Sequence, residues 1–213
     1  MESARIPDGY AVVACGTLRP ELRHLAQAGA LDEGRLFFTA PGLHEWPARL
    51  KEQLARQLDK ARCAAERVIV VYGETCHLDV ETGADTDALL AEFAPDVARV
   101  SARNCVDMLA GQSEREHYAG SKKVYWLTPG WIEYWDFIFK DWDGAKANET
   151  FPAHDTAILL DAVDYYESLS QTDPEKILRI ADWMGIQLVP QPISLERLKT
   201  LLLQSVERLG TGP

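Results

Sequence analysis

The stretch RVIVVYG at residues 67–73 decides the class of fold. Five of its seven residues are β-branched or aromatic, and it is too short for an ordinary helix, so it reads as a buried strand. Working outward, the same unit of strand, turn and helix recurs. YAVVAC at 10–15 is a second apolar run; Gly16, Thr17, Leu18, Arg19 and Pro20 turn it into a helix of about ten residues, since proline is tolerated in a first helical turn. Residues 35–39 form a short strand ended by Pro41 and Gly42, and Pro47 opens a long helix to about Glu66. Its Leu50, Leu54, Leu58, Ala61 and Ala65 recur at helical spacing. Downstream, strands are expected at 97–101, 123–127, 155–161 and 187–189. Helices are expected at 86–93, from Cys105 to about Tyr118, at 174–184 with Asp173 as cap, and at 194–209, with a loop near 143–152.

Alternating strands and helices predict an α/β fold. The expected architecture is a three-layer, Rossmann-like domain around a mostly parallel central sheet of about five or six strands. A chain of 213 residues with 46% hydrophobic content supports one sizeable core, so a single domain is expected over 1–213. No fixed-period repeat or low-complexity tract interrupts it.

The formal charge of −11 argues against two classes of partner. No Lys/Arg-rich stripe relieves it, so nucleic acid and anionic membrane surfaces are repelled, leaving a small molecule or a protein as the expected partner. The opening MESARIPDGY lacks the basic and apolar regions of a signal peptide, and no apolar run approaches the length of a membrane span. A cytoplasmic location is therefore the expectation, with the four cysteines reduced. Composition says nothing about oligomeric state.

Cysteine placement carries the chemistry. Cys15, Cys76 and Cys105 each lie just past a Val-rich run, and His44 sits in a loop ahead of a helix. In an open α/β sheet the loops leaving the carboxyl ends of parallel strands converge on one edge, so these residues are candidates for one site. Three cysteines and a histidine suit zinc, and thiolates also hold an iron–sulfur cluster. No CxxC occurs, so the set rests on the fold and not on a ligand spacing, and buried cysteines without a function are the plain alternative. A metal-free thiol is a further reading: Cys15 and Cys105 precede helices whose N-termini favour thiolate, with His44 or His77 as base.

Other residues weigh less. Cys63 falls inside the helix at 47–66 and reads as ordinary packing or a partly exposed thiol. His77 adjoins Cys76 and is an alternative ligand, though a lone loop histidine is more often solvated; His24, His117 and His154 read as surface residues. Asp161 and Asp164 near a strand end suit a cation, acid–base work or a helix cap. The segment 125–142 is dense in aromatics, and Trp126, Trp131 and Trp135 are candidates for the wall of a cofactor pocket. Neither GxGxxG nor GxxxxGK[ST] is present, which argues against a standard nucleotide site.

Taken in order, VVACGTLRPEL, LHEWPARL, VVYGETC, NCVDMLAGQSEREHY and VYWLTPGWIE resemble the successive motifs of the domain of unknown function 1638 family of bacteria and archaea. The resemblance runs from about Val12 to Leu202. This chain departs from the pattern at Glu74 and Thr75 before Cys76, at His77 where glycine is expected, and at Gln112 between Gly111 and Ser113. Family members occur in gene neighbourhoods that handle methyl groups through corrinoid proteins, so the resemblance implies corrinoid-linked methyl-group or one-carbon chemistry. It also implies that Cys15, His44, Cys76 and Cys105 share a site. Two classes of function stay open: an enzyme whose metal activates a substrate thiol, accepts a methyl group or belongs to a cluster serving redox chemistry, or a binding module that delivers a metal or corrinoid.

Overall fold

The computed structural model describes residues 5–79 and 83–210. Seven strands are formed: β1 (Tyr10–Ala14), β2 (Leu36–Phe38), β3 (Arg67–Val71), β4 (Val97–Arg99), β5 (Val124–Leu127), β6 (Thr156–Asp161) and β7 (Leu188–Pro192). Between them run α1 (Arg19–Gln27), α2 (Pro47–Ala64), α3 (Thr86–Leu90), α4 (Cys105–Leu109), α5 (Gln112–Ala119), α6 (Pro129–Glu133), α7 (Trp135–Ile138), α8 (Gly144–Thr150), α9 (Tyr165–Thr172) and α10 (Pro174–Met184). The last helix is α11 (Glu196–Gly210).

The expected three-layer α/β class with parallel strands is present, but the single central sheet of five or six strands is not: the strands divide between a sheet of four and a sheet of three. One has the order β2-β1-β3-β4 and the other β5-β6-β7, and every paired strand is parallel. The apolar pattern of a single strand reports its burial and not its neighbour, so this division is not visible strand by strand. Local expectations changed in two places. The helix expected from Cys105 to Tyr118 is broken into α4 and α5 at Ala110 and Gly111, both extended. The expected loop near 143–152 contains α8, capped by the Asp143 side chain accepting from the Lys146 N–H.

Burial explains why the elements sit where they do. All of β1 is buried, and in β3 only Arg67 reaches the surface, because helices cover both faces of the first sheet. Leu50, Leu54, Leu58 and Ala61 line the inner face of α2, and none of them is exposed. A second layer joins the two sheets. Val12 and Ile69 from the first share one apolar cluster with Ile158 and Leu160 from the second, and with Leu198 and Leu202 of α11. Although α11 follows β7, it packs on β3, β4 and α4 and so ties the two sheets together. Among the described residues no helix is long and apolar enough to cross a membrane.

Leu198→Ala tests this tie. Leu198 is fully buried, so the substitution is expected to lower stability by about 2–5 kcal/mol. Urea denaturation measures it; a change under about 0.5 kcal/mol, the range of ordinary surface substitutions, would show that α11 does not bear on the core.

Candidate thiol site

Each of the three cysteines leaves the carboxyl end of a strand in the first sheet. Cys15 follows β1 and continues its ladder, donating its N–H to the Val71 carbonyl at 3.4 Å. Cys76 closes a 3-10 turn at Glu74–Cys76, four residues beyond the Tyr72 that follows β3, and its sulfur accepts the Gly73 N–H at 3.3 Å. That turn is pinned by the buried Thr86 hydroxyl, which lies 2.8 Å from the Gly73 carbonyl and 3.0 Å from that of Glu74. Cys105 opens α4 beyond β4, where the Asn104 side chain caps the helix by accepting the Asp107 N–H at 2.9 Å.

Two glycines allow the loops to close on one another. A Cβ on Gly73 would stand 2.2 Å from the Arg103 carbonyl oxygen, so only glycine lets the β3 loop meet the β4 loop beside Cys105. A Cβ on Gly130 would meet the Thr17 carbonyl oxygen at 2.2 Å, so glycine also lets α6 dock on the turn after Cys15. The Thr128 hydroxyl donates to the same carbonyl at 3.1 Å. This docking brings Trp131 of α6 over the thiols.

The result is a cavity of about 20 Å³ lined by Cys15, Cys76, Cys105, His44, Tyr72 and Trp131, with Thr17, Leu18, Val71, Gly73 and Met108 completing its wall. That is room for about one water-sized body. The Thr17 hydroxyl donates to the Cys15 sulfur at 3.1 Å, and Trp131 shares the wall with Cys105. Tyr72 is buried, with its hydroxyl bonded to that of Thr39. His44 comes from a 3-10 turn at Leu43–Glu45; its residue surface is exposed, but its ring stands 5.5 Å from that of Trp131.

Burial sets the protonation of this pocket. It pushes the Cys76 thiol up to about 12, aided by the neighbouring Cys15 and opposed by the Gly73 N–H. It raises Cys105 further, with Cys76 and Cys15 adding to the effect. Loss of solvent on the ring holds His44 below the ordinary histidine range, against a weaker pull from Glu45. The expected thiolate at the helix start of Cys105 is therefore not found: α4 has five residues, and its partial charge is outweighed by desolvation. Cys76 and Cys105 are neutral thiols at pH 7. Among the described residues, no three His, Cys, Asp or Glu side chains already stand at metal-coordinating geometry.

Other candidates fall elsewhere. Cys63 is exposed on α2. Trp126 packs on the apolar cluster between the sheets, and Trp135 on a second cluster with Phe139 and Phe151, so Trp131 alone of the three tryptophans walls the thiol cavity. His77, expected in solvent, is buried without a partner for its Nδ1 and does not line the cavity; its N–H donates to the Thr86 hydroxyl at 3.1 Å. His24 and His117 are exposed, whereas His154 is half-buried against Tyr125. Asp161 is a cap: its carboxylate accepts the N–H groups of Val163, Tyr165 and Tyr166 at 3.1, 3.0 and 2.8 Å at the start of α9. Asp164 is exposed in the left-handed region at φ 53°.

The sequence reading missed Glu21. It lies one helical turn beyond Thr17 and Leu18, is fully buried, and has no hydrogen-bond partner for either carboxyl oxygen. Burial raises it to about 8, and Asp161 and Glu133 add to the shift. Its signal was present in the spacing, because Leu18, Leu22 and Leu25 form a buried stripe on which Glu21 falls.

Fold and site together define an α/β protein with a thiol-lined cavity at the carboxyl edge of a parallel sheet. The family described as "Protein of unknown function (DUF1638)" matches residues 38–202, more than half of the chain, and the chain belongs to that family. The match contains His44, Cys76 and Cys105, while Cys15 precedes it. No curated protein matches the chain, and no solved structure does.

Glu21 carries a pH prediction. The folded chain keeps a proton on this carboxyl up to about pH 8 that an unfolded chain releases near 4.5, so its contribution to stability is greatest below about 4.5 and declines as pH rises through that window. Between pH 5.5 and 8 the decline is expected to be on the order of 3 kcal/mol, and Glu21→Gln should remove it. Urea denaturation of both proteins at the two pH values measures this. A stability difference between them that is independent of pH would refute the assignment.

Proposed function

We propose that the thiol cavity binds a single borderline or soft metal ion, zinc being the simplest, through Cys15, Cys76 and Cys105 with His44 as the fourth donor. The observation that carries this reading is the convergence of all four donors on one cavity with room for about one water-sized body. An iron–sulfur cluster, with several iron and sulfide atoms, is disfavoured by the same volume. So is enclosure of a corrinoid macrocycle, which would have to dock outside the cavity.

A metal-free cysteine nucleophile has less support. Such a thiol works as thiolate, yet Cys76 and Cys105 are held neutral, and the one basic side chain in the cavity wall is His44, an exposed residue with a lowered pKa. A bound cation reverses that balance, because coordination removes the thiol protons. The ion would supply Lewis acidity toward a substrate thiol or methyl donor. The protein's own part is to bring three sulfurs to one cavity, to orient Cys15 through the Thr17 hydroxyl and Cys76 through the Gly73 N–H, and to keep His44 at the surface. There His44 is the donor that exchange with a small substrate would displace.

This role fits corrinoid-linked methyl-group or one-carbon metabolism in the reducing cytoplasm, with a small molecule as substrate. A second reading, delivery of the ion to another protein, is favoured by the donor count: three cysteines and one histidine fill a tetrahedral site and leave no open position.

Titration of anaerobically purified protein with Zn²⁺ or Co²⁺ tests the site. One ion per chain is expected, with protons released from the Cys76 and Cys105 thiols as the ion binds at pH 7. Affinity should therefore rise with pH. Cys76→Ser and Cys105→Ser should abolish tight binding, and Cys63→Ser should leave it unchanged. Equal binding by Cys105→Ser and the parent protein would overturn the proposal.

A further inference from the structure

A second cavity, of about 260 Å³, opens between α7 and α10, away from the cysteines. Its walls are Trp135, Phe139, Trp183 and Ile180. The rings brace one another: Trp135 and Phe139 have centroids 4.2 Å apart, and Trp183 stands edge-on to Trp135 at 5.5 Å and tilted to Phe139 at 5.3 Å. All three also pack on the fully buried Phe151, so the rings are held back and cannot swing in to fill the space.

The rim has a different character. Lys140 and Arg179 are exposed there with one carboxylate, Asp136, which stands 3.8 Å from the Arg179 guanidinium. That pair is solvent-exposed and weak, and Lys140 stands 4.0 Å from Asp141 and 5.6 Å from the centre of the Phe137 ring. On a chain with a net charge of −11 the rim is locally balanced, with two exposed cations each beside one exposed carboxylate, and it borders an aromatic floor.

We propose that this cavity binds a small planar aromatic anion, one or two rings carrying a carboxylate or sulfonate. The ring packs against Trp135, Phe139 and Trp183, and the anionic group is paired with Arg179 and Lys140. Aromatic walls select a ring by offset or edge-to-face contact, and the two cations select the sign of charge. The volume lies just below the range of drug-sized sites, which limits the ligand to about two fused rings. No residue of the thiol cavity takes part, so this site stands whether or not a metal binds there.

The test uses the full chain with 1-naphthoate as probe and 1-naphthylmethylammonium as its cationic counterpart, read by tryptophan fluorescence and calorimetry. Saturable 1:1 binding of 1-naphthoate is expected, about tenfold or more tighter than the cation. Arg179→Gln and Lys140→Gln should each weaken it several-fold, whereas Asp136→Asn should tighten it by releasing Arg179. These side chains are exposed, so the variants are expected to fold. Unsaturable binding, equal binding of the two probes, or indifference to Arg179→Gln would overturn the proposal. So would loss of binding in Cys105→Ser, which would assign the probe to the thiol cavity.

Discussion

The parallel pairing of β1 with β3, in a register that sets Ala14 opposite Val71, is the constraint on which the thiol site depends. It ends both strands at the same level, so that Cys15 and the Tyr72-Gly73 turn leave the sheet side by side. A slip of one residue would turn every side chain of one strand to the other face and move Cys15 away from Cys76. Because both faces of β1 and β3 are buried against apolar layers, the register is set by how their side chains fit those two layers and not by an apolar–polar alternation. The glycines act downstream of it. Gly73 and Gly130 remove the one atom that would keep neighbouring loops apart, and the loops they join carry Cys105 and Trp131.

Desolvation is the second theme, and it acts alike on groups that sequence motifs treat as different. Cys76, Cys105, Tyr72 and Glu21 are all shifted toward their neutral forms by burial, and none has a cationic side chain as hydrogen-bond partner. The pocket is thus electrically quiet in the folded chain. A site built to act as a thiolate on its own would need a nearby positive charge or a long helix N-terminus, and α4 is too short to supply one. The quiet state suits a site whose charge arrives with its ligand.

Much of the fold was legible because it depends on local patterns. The Val-rich runs at 10–14 and 67–71 became fully or almost fully buried strands, and the leucine spacing from Leu50 to Leu58 became the inner face of α2. The grouping of Cys15, Cys76, Cys105 and His44 was legible for one further reason: parallel strands send their carboxyl-end loops to a common edge. What pattern did not disclose is long-range. The separation into two sheets, and the path of α11 back across β3 and β4, depend on which surfaces fit together and not on any single element. The protonation of Cys105 was misread because a helix start was weighed without knowing its length or how deeply the sulfur is buried.

The aromatic stretch at 125–142 shows how one dense segment serves two places. The α6 helix ends at Glu133 and α7 begins at Trp135, with Tyr134 between them outside regular α-helical geometry. That break leaves Trp131 beside His44 in the thiol-cavity wall while still 5.7 Å from the Phe139 ring, and Trp135 packs on Phe139, Phe151 and Trp183. An unbroken helix would set residues four apart on one face, and both rings would then point the same way. The break therefore separates a cavity that admits little more than an ion from one that admits a ring. A single cofactor pocket walled by Trp126, Trp131 and Trp135 does not form: Trp126 packs on the cluster between the sheets, Trp131 and Trp135 share the other cluster, and of the three only Trp131 also walls the thiol cavity.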